Sequence, residues 1–258
     1  MTKPLAIDLC CGLGGWTEGL IAEGYEAHGF DIEAHEYGEE KYPGTLFLED
    51  VLTIDGARFK NAALIVASPP CQEFSYMAMP WKRAKQIARA LRGKDEFPAG
   101  YKGSRTLAEL TALFDACFRI QREACAAAGR HIPMVVENVK GAQPWVGRAK
   151  WNFGSYYLWG DVPALMPKAI DGVKVPGMNW SGSDKPGYKA VAFNDEAIRQ
   201  SKLGGDWFGG YAPGVQGPRN HGSKSKARKA ASARIAKIPF ALSVWITRTY
   251  KPSAERAA

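Results

Sequence analysis

Five short runs limit what this chain can fold into: residues 5–9, 46–48, 64–67 and 134–136, which are mainly apolar, and 27–31 (AHGFD), which is mixed. Each is strand-sized, and each is followed within a few residues by glycine, proline or an acid. Helix-period segments lie between some of them. Residues 16–23 read as a helix stopped by Gly24. Leu107, Leu110, Leu113, Phe114, Cys117, Ile120 and Ala124 recur by threes and fours up to Gly129, the pattern of an amphipathic helix. Strands alternating with helices predict an α/β fold built on a doubly wound, mostly parallel sheet. Such sheets bind ligands at the carboxyl ends of their strands.

The 258 residues suit one sizeable domain carrying a small lobe, and 46% hydrophobic content supplies a core. The expected division is a catalytic and cofactor-binding domain over 1–160, a small irregular region over 161–232, and a C-terminal helix over 233–258 that returns to the first domain. That helix is interrupted by Pro239. The stretch 76–104 reads as a long polar loop. The N-terminus enters a strand almost at once, and no run reaches the roughly 18 apolar residues of a membrane span. A cytoplasmic monomer with no signal peptide and no membrane association is the expectation.

Charge narrows the choice of partner. The net charge of +8 conceals two basic segments. Residues 82–105 hold eight Lys or Arg against Asp95 and Glu96, and residues 219–237 hold seven with no acid. Basic charge gathered in this way fits a polyanion or two solvated faces. The five cysteines contain no CxxC, and the four histidines do not join them at ligand spacing, so no metal site is expected.

The strand exits carry the chemistry. Residues 8–15 read DLCCGLGG, whose glycines allow a sharp turn and close approach to a ligand. The spacing is not GxGxxG, which argues against a dinucleotide pyrophosphate. Asp31 ends the second run, where a carboxylate can hold two ribose hydroxyls. Asp50 comes after the third, placed for an adenine amino group. S-adenosylmethionine would need all three features.

Residues 68–75 read SPPCQEFS. Pro69 and Pro70 end a strand and stiffen the next few residues, which presents Cys71 at the sheet edge. A thiol there can act as a nucleophile if its pKa falls or a base assists. Cys10, Cys11, Cys117 and Cys125 read as packing cysteines. Glu137 and Asn138 leave the fifth run, and a buried Glu137 would hold its proton to higher pH and could donate it.

These three elements together resemble the cytosine-C5 DNA methyltransferase family. DLCCGLGGWTEGL is similar to its cofactor loop, PPCQEFS to its nucleophile motif, and VENV to its Glu-Asn-Val motif. The resemblance spans about residues 5–139, and 235–246 more weakly. It implies a Rossmann-like fold of the S-adenosylmethionine-dependent methyltransferase type with a small target-recognition lobe. The implied activity is methyl transfer to C5 of a cytosine flipped out of duplex DNA, through a covalent bond to Cys71, with short or relaxed sequence specificity. Glu137 would protonate N3, Asn138 would brace the Cys71 loop, and Gln72 would support that loop or fill the vacated helix. The implied cofactor surface is Asp8, Cys10, Gly12, Gly14, Gly15, Trp16, Asp31, Ile32, Asp50, Val51 and Pro70. Ser75, Lys82, Arg83, Lys85, Arg105, Lys224, Lys226 and Arg228 would meet DNA.

The chain departs from the family in two places. Its Gln-x-Arg-x-Arg motif is missing, with Arg148 and Lys150 the nearest counterparts, one of them able to reach cytosine O2 and Arg148 the candidate catalytic residue. Its Gly-Asn-Ser-Val motif is missing too, and Ala236 and Lys237 stand there instead. A lysine near the transferred methyl would favour a donor bearing an extra carboxylate, against the alternative of a solvent-facing side chain. The compact form suggests a phage enzyme, acting then in the host cytoplasm. Methylation of tRNA-type RNA, or nucleic-acid binding without catalysis, stays open at this point.

Overall fold

The computed structural model describes residues 2–71, 74, 81–90, 92–96, 107–166 and 226–252. Its strands are β1 Leu5–Leu9, β2 Glu26–Asp31, β3 Thr45–Leu48, β4 Leu64–Ala67, β5 Met134–Asn138, β6 Trp151–Phe153 and β7 Tyr156–Gly160. They form one sheet in the order β3-β2-β1-β4-β5-β7-β6. All neighbours pair in parallel except β7, which runs antiparallel to both β5 and β6. This is the Rossmann-like, doubly wound arrangement. The order reverses between β1 and β4, so the loops leaving those two strands flank the switch-point crevice.

The strand residues alternate between two buried faces. Ile7, Leu9, Ile65, Ala67, Met134 and Val136 pack with Phe114, Cys117, Ile120 and Ala124 of α3 (Leu107–Ala128). Ala6, Leu64, Val66, Val135 and Leu158 pack on the opposite face with Trp16 and Leu20 of α1 (Gly15–Ala22). The period of two in the side chains thus serves a sheet covered on both sides, which is why the runs read as continuously apolar.

Two stretches differ from the sequence expectation. Residues 81–90, inside the segment read as a loop, form helix α2 (Trp81–Ala90). Its apolar stripe is narrow: Ala84 and Ile87 are buried and pack against Trp145 of α4 (Gln143–Val146). Lys82, Lys85 and Arg89 stay exposed. Four cations in ten residues made the segment read as solvated chain, although Ala84, Ile87 and Ala90 stand at helical spacing.

The C-terminal apolar segment is two helices, α5 (Lys226–Ala236) and α6 (Phe240–Thr249). The interruption at Pro239 is explained by its position: it caps α6 with an extended backbone and so separates the two helices rather than kinking one. Helix α5 starts at Lys226, within the stretch assigned to target recognition. Residues 167–225 lie outside the described residues, and they make up most of that region.

Helix α6 seats on α1. A Cβ at Gly19 would meet the Ser243 side chain and backbone, at 2.1 and 2.7 Å, so glycine permits the helices to approach. Ser243 Oγ donates to the Trp16 carbonyl at 2.6 Å, and Tyr25 donates to the Thr247 carbonyl at 2.9 Å. The last described helix is thereby fastened behind the first loop. No described helix is long and apolar enough to cross a membrane.

Candidate active site

The site grows from the carboxyl edge of β1, β2, β3, β4 and β5. In the β1 exit, Gly14 holds φ near 74° and starts α1, and Cys10 takes a positive φ of 54° that non-glycine residues rarely adopt. Asp8 lies fully buried beneath this loop. Its Oδ2 accepts from Thr17 Oγ1 at 2.7 Å, and Thr17 shares a 2.5 Å hydrogen bond with Tyr42. Its Oδ1 has no partner among the described residues. Burial pushes the Asp8 carboxyl well above the usual range, against the opposing Thr17 bond.

Asp31 at the end of β2 reaches back across the loop. Its Oδ2 accepts the Gly12 N–H at 2.9 Å and its Oδ1 accepts the Ile32 N–H at 2.8 Å. Burial works to raise its pKa, but the contact with His35 and the Gly12 N–H outweigh it and hold the carboxyl below its ordinary value. Ile32 stands 72% exposed beside it, an apolar surface left open at the sheet edge. Asp50 Oδ1 accepts the Leu52 N–H at 2.9 Å, which orders the β3 exit, while Val51 is buried.

These features fit S-adenosylmethionine. The space beside Gly12 is open, with nothing within 4 Å of an added Cβ. A buried carboxylate oxygen below the loop lacks a donor, carboxylates stand at the end of β2 and just past β3, and an apolar side chain lies uncovered between them.

Trp16 is buried, as are Asp8 and Val51 among the residues expected on the cofactor surface. It is 1% exposed, and its Nε1 donates to Ser68 Oγ at 3.0 Å. It stands as a post behind the site, fixing the residue that precedes Pro69. Pro70 is exposed on the β4 exit.

The β4 and β5 exits bring Cys71 and Glu137 together. In the parallel register Ala67 stands opposite Val136, so the chain after Ala67 faces Glu137. Asn138 Nδ2 donates to the Pro69 carbonyl at 2.9 Å, and its Oδ1 accepts the Val139 N–H at 2.8 Å. The Pro69 carbonyl lies beyond the strand ladder, and Asn138 satisfies it in a buried setting. The Phe74 N–H donates to the Cys71 carbonyl at 3.0 Å, which tightens the turn. Asn138→Ala is expected to cost about 1–3 kcal/mol, because buried polar groups lose their partners. Denaturant unfolding of the variant checks this, together with an activity loss larger than the folded fraction explains.

The electrostatics set the resting state of the pair. Burial pushes the Glu137 carboxyl up to about 8, against a hydrogen bond with Ser68. At neutral pH it therefore holds a proton. Burial, then the nearness of Glu137, pushes the Cys71 thiol up to about 11. The lowered thiol pKa that the sequence left open is not found: the free protein keeps Cys71 as a thiol. Tyr156 also sits close enough to Glu137 for the acid's charge to raise its pKa further, after burial, and donates to the Lys237 carbonyl at 3.1 Å.

The remaining expected residues are scattered more widely. Arg148 is exposed on the connector between α4 and β6, and among the described residues no hydrogen bond or ion pair joins it to Cys71 or Glu137. Lys82 and Lys85 are exposed on α2 and Arg83 is partly buried there, while Lys226 is exposed on α5. Gln72, Ser75, Arg105 and Lys224 lie outside the described residues, as does the side chain of Arg228. Lys237 Nζ pairs with Glu18 Oε1 at 2.5 Å and is only 16% exposed. Its charge is therefore already matched by Glu18. Ser68, Thr17, Tyr42 and Tyr156 support the site and escaped the sequence reading. Ser68, directly before the two prolines, and Thr17, inside the glycine-loop motif, stood where motifs pointed.

Residues 5–86 match the family model of C-5 cytosine-specific DNA methylases. Similar solved structures include a DNA modification methyltransferase encoded within a prophage of E. coli, at 20% identity and a TM-score of 0.34, covering 54% of this chain and 33% of that one. The S. pombe Dnmt2 methyltransferase is similar at 14% identity and a TM-score of 0.31, covering 55% and 35%. The Entamoeba histolytica methyltransferase EhMeth is similar at 16% identity and a TM-score of 0.33, covering 57% and 41%. The chain thus aligns with well under half the length of each. No curated protein matches.

Proposed function

We propose that this chain is an S-adenosylmethionine-dependent DNA cytosine-C5 methyltransferase acting on double-stranded DNA. The match of residues 5–86 to that family supports the reaction class. The observation that carries the residue assignment is the Asn138–Pro69 bond, which ties the Cys71 loop to the strand that presents Glu137. A nucleophile and a proton donor are thereby fixed at one strand edge, beside a loop suited to the cofactor.

Cytosine C5 is a weak nucleophile until the ring is activated. Cys71, once deprotonated, adds to C6. Glu137 gives its proton to N3 as the negative charge forms, so the ring becomes a neutral enamine. Its buried carboxyl is suited to that step because it still carries the proton at neutral pH. When bound, S-adenosylmethionine supplies an electrophilic methyl group to the activated base. A base takes the C5 proton, Cys71 leaves as the thiolate, and N3 returns its proton to Glu137, which restores aromaticity. The base must leave the duplex stack to reach these residues. The exposed lysines of α2, in the segment after the nucleophile, are suited to phosphate. Asp8, Gly12, Asp31, Ile32 and Asp50 are the residues that would hold the cofactor.

The assignment extends to the division into a catalytic domain, a recognition segment after residue 160, and a returning C-terminal segment. The Glu18–Lys237 pair favours the ordinary cofactor over a carboxylated one, since the lysine charge is already matched.

The test is transfer of labelled methyl from S-adenosylmethionine to duplex DNA and to tRNA. Transfer to DNA with cytosine C5 as product supports the reading. Transfer to tRNA alone, or to neither, overturns it.

A further inference from the structure

One residue beside the cofactor loop has no place in the methyl-transfer chemistry. His35 stands four residues beyond the end of β2 and turns back on Asp31. Its Nε2 lies 3.6 Å from Asp31 Oδ1, longer than a hydrogen bond but within ion-pair reach. Its Nδ1 lies 3.3 Å from the Tyr37 hydroxyl and 4.0 Å from Glu33 Oε1. The side chain is 22% exposed. From α5, Lys229 reaches Glu33 at 3.9 Å. His35 is therefore faced by Asp31, Glu33 and Tyr37 from its own segment and by Lys229 from α5.

At least half of the acceptor capacity of Asp31 is already used. A carboxylate offers about four lone-pair positions. Oδ2 spends one on the Gly12 N–H, and Oδ1 spends one on the Ile32 N–H, with the Glu33 N–H a longer 3.4 Å away. Two adjacent ribose hydroxyls need two open positions. Oδ2 retains one. The other must come from Oδ1, on the side His35 faces.

We propose that His35 is a positioning residue for Asp31: protonated, it occupies Oδ1 and withholds it from the ribose hydroxyls, and neutral, it releases Oδ1 to them. The inference rests on reading Asp31 as the ribose-binding carboxylate. A protonated imidazole is drawn to the carboxylate and closes the 3.6 Å gap. A neutral ring turns either a lone pair or an uncharged N–H toward it and competes weakly. The contact with Asp31 and its charge raise the His35 pKa above the ordinary value, against burial and Lys229. The switch therefore lies above the ordinary histidine value. By linkage, nucleoside binding lowers the His35 pKa, and each unit of displacement changes affinity about tenfold across the titration.

The experiment is isothermal titration of the full chain with S-adenosylhomocysteine from about pH 5.5 to about pH 8.5, with the His35 ring followed by NMR. This probe carries the ribose and lacks the sulfonium charge. Wild type is expected to bind about three- to tenfold more weakly at the acid end, and binding should lower the His35 pKa. His35→Asn, which cannot take a proton, is expected to hold its high-pH affinity throughout. An unchanged pH dependence in His35→Asn, or tighter binding by wild type in acid, overturns the proposal while leaving the cofactor site intact. Absence of binding at every pH overturns the reading of the site itself.

Discussion

Cys71→Ser is expected to lower methyl transfer by at least about 10⁴-fold, the scale seen when a covalent nucleophile is removed. The hydroxyl that replaces the thiol holds its proton far more tightly, and the site already works against ionisation. Burial and the neighbouring Glu137 push even the thiol up to about 11. A serine in that setting has no route to an anion. Stability should fall by about 1 kcal/mol or less. The described contact of Cys71 is made by its backbone carbonyl, which the substitution leaves alone. Cys117→Ser gives the contrasting control. Cys117 is fully buried in the core on α3, so that variant should lose stability while each folded molecule keeps its turnover. Single-turnover methyl transfer and denaturant unfolding measured on both variants separate the two roles.

Glu137→Gln is expected to cost about 10²- to 10⁴-fold, the range for loss of a positioned general acid. The shape of the pH profile is more diagnostic than its height. The productive form needs Glu137 protonated and Cys71 ionised. With Glu137 near 8 and Cys71 near 11, these are the reverse of the resting order. Below pH 8, raising the pH ionises more Cys71 while Glu137 keeps its proton, so kcat/KM climbs about tenfold per unit. Above pH 8, each further gain of thiolate is cancelled by loss of the Glu137 proton, and the profile levels. Glutamine cannot titrate. The variant profile should therefore lack the break near 8 and keep rising toward the Cys71 pKa. That pKa falls in the variant, because the charge of Glu137 is one cause of its elevation. Steady-state kcat/KM between about pH 6 and about pH 9.5 checks this, and an unchanged break in Glu137→Gln would assign it to another group.

The sheet was legible because its first five strands are short runs, mainly apolar in β1, β3, β4 and β5 and mixed in β2, with a residue of different character at or just past each end. Asp8, Asp31, Glu137 and Asn138 could be placed at or near strand ends for that reason. The runs could not show where those polar groups find partners. Thr17 joins Asp8 and Tyr42, Trp16 joins Ser68, and His35 turns onto Asp31. Two of these pairings span 25 and 52 residues and leave no local trace. Trp16 shows the limit from the other side. Its place beside the glycine loop suggested a ligand surface, and nothing local showed that the indole would be buried and bonded to Ser68. Helix α2 was hidden by its charge: with so many cations, its core contact with Trp145 decides the conformation, and that contact is tertiary. The two helices at the C-terminus obey one local rule, since Pro239 supplies an extended residue ahead of α6.

The central claim is that the sulfur of Cys71 bonds to the cytosine ring during turnover. Incubation with S-adenosylmethionine and duplex DNA carrying 5-fluorocytosine tests it directly, because fluorine at C5 blocks the elimination that frees the enzyme. Mass spectrometry of the digested product is expected to show methylated base attached to the peptide containing Cys71, and no adduct from Cys71→Ser. Methyl transfer to ordinary duplex with no adduct on the fluorinated one, or an adduct on a different residue, would contradict the account.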